Sequence, residues 1–99
     1  MKLDISSLSA GQTVYCFNLD ETFIRKLTIT SATPTVVSRG MQIKGTFVRY
    51  EGSREESFDE SVFSAFQAFE TFEEAVDTLS KKLQDLVSLL GDMKTYKLL

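Results

Sequence analysis

Thr71–Gly91 reads TFEEAVDTLSKKLQDLVSLLG, and its apolar residues recur at helical rather than strand spacing. At 100° per residue, Phe72, Ala75, Val76, Leu79, Leu83, Leu86, Val87 and Leu90 share an arc of ~120°. Thr71, followed three residues on by Glu74, forms a capping box. Glu73 and Asp77 add negative charge near the positive end of the helix dipole. Asp77 and Lys81 are an i,i+4 pair in the favourable order, worth ~0.3–0.5 kcal/mol. Gly91 is expected as the residue that closes the helix, which therefore spans 72–90. Residues 93–99 then form a short edge strand or a frayed tail. The stripe suits packing on a sheet, and its 4-3-4-3-4 spacing from Phe72 to Leu90 also suits the seam of a homodimer.

Upstream of this helix the pattern changes to that of strands. Thr13–Leu19 (TVYCFNL) is apolar on both alternating sets, Tyr15, Phe17 and Leu19 on one and Val14 and Cys16 on the other. Such a strand is covered on both faces or belongs to a tightly closed sheet. Phe23–Ala32 sets Phe23, Leu27 and Ile29 against Lys26, Thr28 and Thr30, with Arg25 on the apolar side, where a strand edge or exposed end has to accommodate it. Pro34 marks a turn, and 35–39 is a short strand candidate. Met41–Tyr50 points Met41, Ile43, Gly45 and Phe47 inward and Gln42, Lys44 and Thr46 outward. Val48 and Tyr50 have the wrong parity, which a bulge or bend near Phe47 would repair. Residues 51–54 are a polar turn. Phe58, Val62, Phe63, Phe66 and Phe69 fit either a short helix capped at Asp59 or a strand with an irregular exit, and a strand near Ser57–Phe63 is preferred. The expected class is α+β, a single domain that is mainly β over 13–63 and helical over 72–90.

Composition narrows the class further. A chain of 99 residues with 42% apolar content, eight Phe and three Tyr can build a core. One cysteine makes no internal disulfide, and no apolar run has the length of a signal peptide or membrane span. A cytoplasmic protein is expected.

Charge is segregated along the chain. Six Lys/Arg against three Asp/Glu give +3 over residues 1–50, one against nine give −8 over 51–80, and four against two give +2 over 81–99. Segregated charge steers partners rather than setting a fold. The helix dipole accounts for Glu73, Glu74 and Asp77. Glu51, Glu55, Glu56, Asp59, Glu60 and Glu70 have no such explanation and are the candidate contacts for a protein partner with a basic surface.

Catalytic equipment is sparse, and no enzyme activity is expected. Without histidine there is no imidazole base, no relay triad and no HExxH zinc site. Cys16 sits in an apolar strand and reads as a buried, inert thiol. No glycine-rich phosphate loop occurs, although Ser38-Arg39-Gly40 offers a small anion-binding turn. Glu55-Glu56 and Asp59-Glu60 lack the pattern of a calcium loop and read as a solvated face, so neither metal nor cofactor is expected. Lys44–Tyr50 (KGTFVRY) resembles the RRM signature but is one residue short, and no helix separates the first two strands. What remains is a basic sheet face of Lys26, Lys44 and Arg49 with Tyr50 for stacking, an alternative site for nucleic acid or an anionic ligand.

Two segments carry a family likeness. Leu8-Ser-Ala-Gly11-Gln-Thr-Val14-Tyr15 resembles the turn-into-strand opening of small SH3-like barrels such as Tudor and KOW modules. That likeness implies a small antiparallel sheet or SH3-like barrel of about five strands, packed by the C-terminal helix. Phe69-Glu70-Thr71-Phe72-Glu73-Glu74-Ala75 is similar to the closing segment of small bacteriophage and prophage proteins. It implies a phage-type accessory protein in the host cytoplasm that binds a host or phage macromolecule, for instance as an inhibitor of a host defence. Neither pattern includes a ligand cage whose residues could be carried over.

Overall fold

Inner and outer faces separate along the strands as their alternation requires, and the six strands pair into one antiparallel sheet. The computed structural model describes residues 2–35, 40–63 and 65–98, with helix side chains as far as Ser88. The strands are β1 (Lys2–Leu3), β2 (Thr13–Asn18), β3 (Arg25–Pro34), β4 (Met41–Val48), β5 (Glu56–Val62) and β6 (Phe66–Phe69), followed by helix α1 (Phe72–Leu98). Their order in the sheet is β1-β6-β2-β3-β4-β5. The architecture is thus α+β, an antiparallel sheet packed by one C-terminal helix. Of the two expected forms, sheet or barrel, it is the open sheet, with six strands among the described residues where about five were expected.

The sheet is nevertheless strongly rolled. Four strand-to-strand steps separate β6 from β5, about 19 Å in a flat sheet. Yet the rings of Phe58 on β5 and Phe66 on β6 lie 6.2 Å apart. Rolling lets the inner face bury itself: Val14, Cys16, Leu27, Ile29, Ile43, Phe47, Phe58, Val62, Phe66 and Ala68 form one core, with Leu8 from the lead-in. Burying each large side chain contributes about 1.5–3 kcal/mol, so this interior is the main source of stability.

Strand β2 is covered on both faces, as its double apolar pattern requires. Val14 and Cys16 enter the rolled core, while Phe17 meets Phe69, Ala75 and Leu79 beneath the helix. Phe17 and Phe69 stack with centroids 5.9 Å apart and planes 16° from parallel. The ambiguous segment 55–69 resolves into two strands, β5 and β6, joined by a turn in which Phe66 N–H donates to Phe63 O at 2.9 Å.

The bulge falls on the neighbouring strand, not near Phe47. Register shifts between Ile29 and Ser31, so Thr30 is the extra residue, and its Oγ1 donates to Lys44 O at 3.1 Å. Backbones approach closely just below it: a Cβ on Gly45 would run into the Thr28 carbonyl and lie 3.2 Å from Ile29 Cα. Val48 needs no repair, because its outward side chain serves a purpose described below. Pro34 ends β3 instead of lying in a turn beyond it. The strand candidate at 35–39 and the Ser38-Arg39-Gly40 turn fall largely on 36–39, outside the described residues.

Helix α1 starts as its sequence directs: Thr71 Oγ1 accepts the Glu74 N–H at 3.2 Å. Its C-terminus corrects the expectation, because the helix passes through Gly91 and runs 27 residues to Leu98. An interior glycine costs only about 1 kcal/mol, and no proline follows to stop propagation. Neither an edge strand nor a frayed tail forms over 93–98. The helix lies on β2 and β6. Ala75 and Leu79 are buried there, whereas Leu83, Leu86 and Val87 on the same stripe are exposed.

Candidate functional site

Because α1 covers only one flank, the outer face of β3 and β4 is open, and register arranges it in rows. The first row is Tyr15, Lys26 and Val48; the second is Thr13, Thr28, Thr46 and Ser57, four hydroxyls side by side. Beyond the bulge, Ser31, Lys44 and Asp59 make a third. The outward threonines and the cross-strand serine were readable as strand residues, but their alignment depends on the register, which the sequence did not supply.

The first row forms the floor of a cleft of roughly 620 Å³. Phe72, at the start of α1, walls one side and meets Tyr15 edge-on, ring centroids 5.8 Å apart. The β4–β5 hairpin brings Arg49, Tyr50 and Glu51 to the other side. Its conformation follows from Gly52 at φ 85° and from Ser53, whose Oγ accepts the N–H groups of Arg49 and Tyr50 at 3.2 and 3.4 Å. Tyr50 stands 70% exposed at the rim. Val48 is the apolar floor between Lys26 and the hairpin, which is why an apolar residue occupies an outward position.

The cations differ in freedom. Lys26 is exposed and makes no ion pair among the described residues. Arg49 is held by the Phe23 ring, 4.8 Å from its guanidinium, and by Glu56 at 3.8 Å. The structure therefore brings Lys26, Arg49 and Tyr50 to one cleft and adds Tyr15 and Phe72. Lys44 lies on the same face, outside the cleft.

The acidic candidates occupy three places. Glu51 lines the cleft. Glu55, Glu56, Asp59 and Glu60 run along or beside β5, the edge strand, all exposed, with Glu56 and Glu60 on the inner parity and Asp59 on the outer. Asp59 accepts from Gln42 Nε2 at 2.6 Å, and Glu60 lies 3.9 Å from Arg25. Glu70 stands apart, between β6 and α1.

Arg25 is the functional-looking group whose setting the sequence left open. It is neither at an edge nor in solvent: its side chain is 12% exposed at the end of the roll, 3.0 Å from Glu21. The rings of Phe47, Phe23 and Phe58 lie 4.7, 5.2 and 5.9 Å from its guanidinium carbon. Glu21, four residues earlier, was the available signal. Arg25 Nε and Glu21 Oε2 are buried without a hydrogen-bond partner among the described residues.

Cys16 is fully buried and donates to Arg25 O at 3.7 Å. Burial pushes its thiol up to about 12, away from the nucleophilic thiolate. Among the described residues, no three His, Cys, Asp or Glu side chains gather as a metal site. No described helix is long and apolar enough to cross a membrane. No family model, curated protein or solved structure matches the chain.

Proposed function

We propose that this chain is a non-enzymatic binding module that takes an anionic ligand with a planar ring in the outer-face cleft. One observation carries the reading: Lys26 and Arg49 converge with Tyr15, Tyr50 and Phe72 on a single concavity. Its volume is within the range of small-ligand sites. The rings supply stacking faces, and Lys26, exposed beside them, supplies an anion partner. AMP is a suitable probe, with adenosine and inorganic phosphate as its halves, followed by amide chemical shifts. Saturable movement around Tyr15, Lys26 and Tyr50 with AMP, lost in Lys26→Ala and Tyr50→Ala, is the expected result. No saturable shift with any of the three probes at millimolar concentration rejects the cleft as a binding site.

A second reading rests on β5, whose outer edge pairs with no strand among the described residues while Glu55, Glu56, Asp59 and Glu60 crowd along it. In that reading the protein is a phage-type accessory factor that docks on a basic macromolecular surface, such as a host defence or regulatory protein, and blocks it by occlusion. Carboxylates on an edge strand also deter strand-to-strand association, so the charge alone does not distinguish the two roles. Capture from host lysate with wild type and with Glu55→Lys/Glu56→Lys, across a salt series, separates them. A partner lost on charge reversal and at high salt supports docking; equal capture by both proteins rejects it.

A further inference from the structure

Past the cleft's floor residues Lys26 and Val48, the outer face of β3 and β4 continues to the hydroxyl row and then to Lys44. Val48, opposite Lys26, and Lys44 are four residues apart on β4, a span of about 13 Å at the rise of a strand. Between them Thr28 and Thr46 sit on the same face, and Thr28 is exposed. Ring faces at one end, hydroxyl donors in the middle and a lysine at the other end are spaced for a chain, not for a single nucleotide. Hydroxyls and lysines are the usual donors to phosphate oxygens, and stacking on aromatic rings accepts any base.

We infer that the ligand is a single-stranded nucleic acid, with one base in the Tyr15/Tyr50/Phe72 cleft and its backbone continuing over Thr28 and Thr46 to Lys44. The inference rests on the cleft reading and adds the direction and length of what the cleft holds. The bulge contributes to this track. Thr30 occupies the extra position and bonds its hydroxyl to Lys44 O, which fixes the backbone that presents the Lys44 side chain. Asp59, opposite Lys44, accepts from Gln42 Nε2 and keeps its negative charge beside the track. A duplex fits poorly, because its bases are stacked inside the helix and unavailable to the rings.

The test uses fluorescently labelled oligo(dT) and oligo(rU) of three, six and ten nucleotides, AMP, and a ten-base-pair duplex, measured by anisotropy and competition on the full chain. Binding is expected to strengthen from AMP through the trimer to the hexamer and to exceed duplex binding. With Lys26, Arg49 and Lys44 as the phosphate partners, affinity should fall roughly eighteenfold between 50 and 200 mM salt. Tyr50→Ala should weaken every oligomer at least fivefold. Lys44→Ala should weaken the hexamer while leaving AMP unchanged. Both residues are exposed, and circular dichroism of each variant checks that the fold is retained. AMP binding as tight as the hexamer, or hexamer binding indifferent to Lys44→Ala, overturns the inference and leaves the cleft reading standing. Duplex binding as tight as the hexamer overturns the preference for single strands. Absence of binding by AMP and by all oligomers overturns both.

Discussion

Arg25 Nη2 lies 3.0 Å from Glu21 Oε1 inside the mouth of the rolled sheet, where each side chain keeps less than a sixth of its surface in solvent. An ion pair taken this far from water gains little net stability, yet losing one member strands the other charge. Arg25→Met and Glu21→Leu should therefore each destabilise by about 2–4 kcal/mol. The double variant should lose far less than the sum, because the aromatic rings around Arg25 accept an apolar side chain. Urea unfolding of the four proteins decides it; additive losses would mean that the two groups act independently.

Gly45 is inward on β4 at the point where β3 bulges, and its lack of a side chain lets the Thr28 carbonyl approach. Backbone cannot swing aside as a flexible side chain can. Gly45→Ala should cost about 1–3 kcal/mol through strand separation. Gly11, at φ 87° with open space around it, provides the contrast. Gly11→Ala should cost about 1–2 kcal/mol through backbone strain alone and leave β3–β4 amide exchange unchanged. Faster exchange at Thr28 in Gly45→Ala is the distinguishing readout, because the Ile29 amide donates to Gln12 O beside Gly11 and responds to either change.

Cys16 gives a pH dependence whose sign can be worked out. Burial raises its folded pKa from 9.0 to about 12, so the native thiol stays protonated where the unfolded thiol ionises. Its contribution is complete below about pH 9 and erodes as pH climbs toward 12. Above pH 9 the wild type should lose up to about 1.4 kcal/mol per pH unit more than Cys16→Val does. Denaturant midpoints of the two proteins from pH 7.5 to 10.5 measure the difference. Parallel curves would show that the thiol ionises equally in both states.

How far the sequence led depends on whether a feature was local. The capping at Thr71 and the inward set of β4 needed only neighbours in sequence, and both stand in the structure. The double face of β2 was legible too, since apolar residues on both parities allow little else. Lys26, Arg49 and Tyr50 were recognisable as a group, but Tyr15 and Phe72 join them through β2–β3 pairing and helix docking. The Thr30 bulge, the pairing of β6 with β2 and the position of Arg25 also depend on long-range register. Gly91 misled because a local stop signal lost to continued propagation of the helix.

The stripe of α1 changes role along its length, and stability should follow burial rather than residue type. Leu79 is 6% exposed beneath the sheet, whereas Leu86 is 46% and Val87 68% exposed further on. Leu79→Ala should cost about 2–4 kcal/mol, and Leu86→Ala and Val87→Ala under about 1 kcal/mol each. Measured at several protein concentrations, this contrast also tests the homodimer seam that the 4-3-4-3-4 spacing would suit as an alternative to sheet packing. In a monomer the exposed positions stay cheap and the unfolding midpoint does not move with concentration. In a dimer seamed along Leu83, Leu86 and Val87, the midpoint rises with concentration and Leu86→Ala becomes as costly as Leu79→Ala. Light scattering of wild type and Leu86→Glu at the same concentrations completes the test, since only a dimer would halve its mass on substitution.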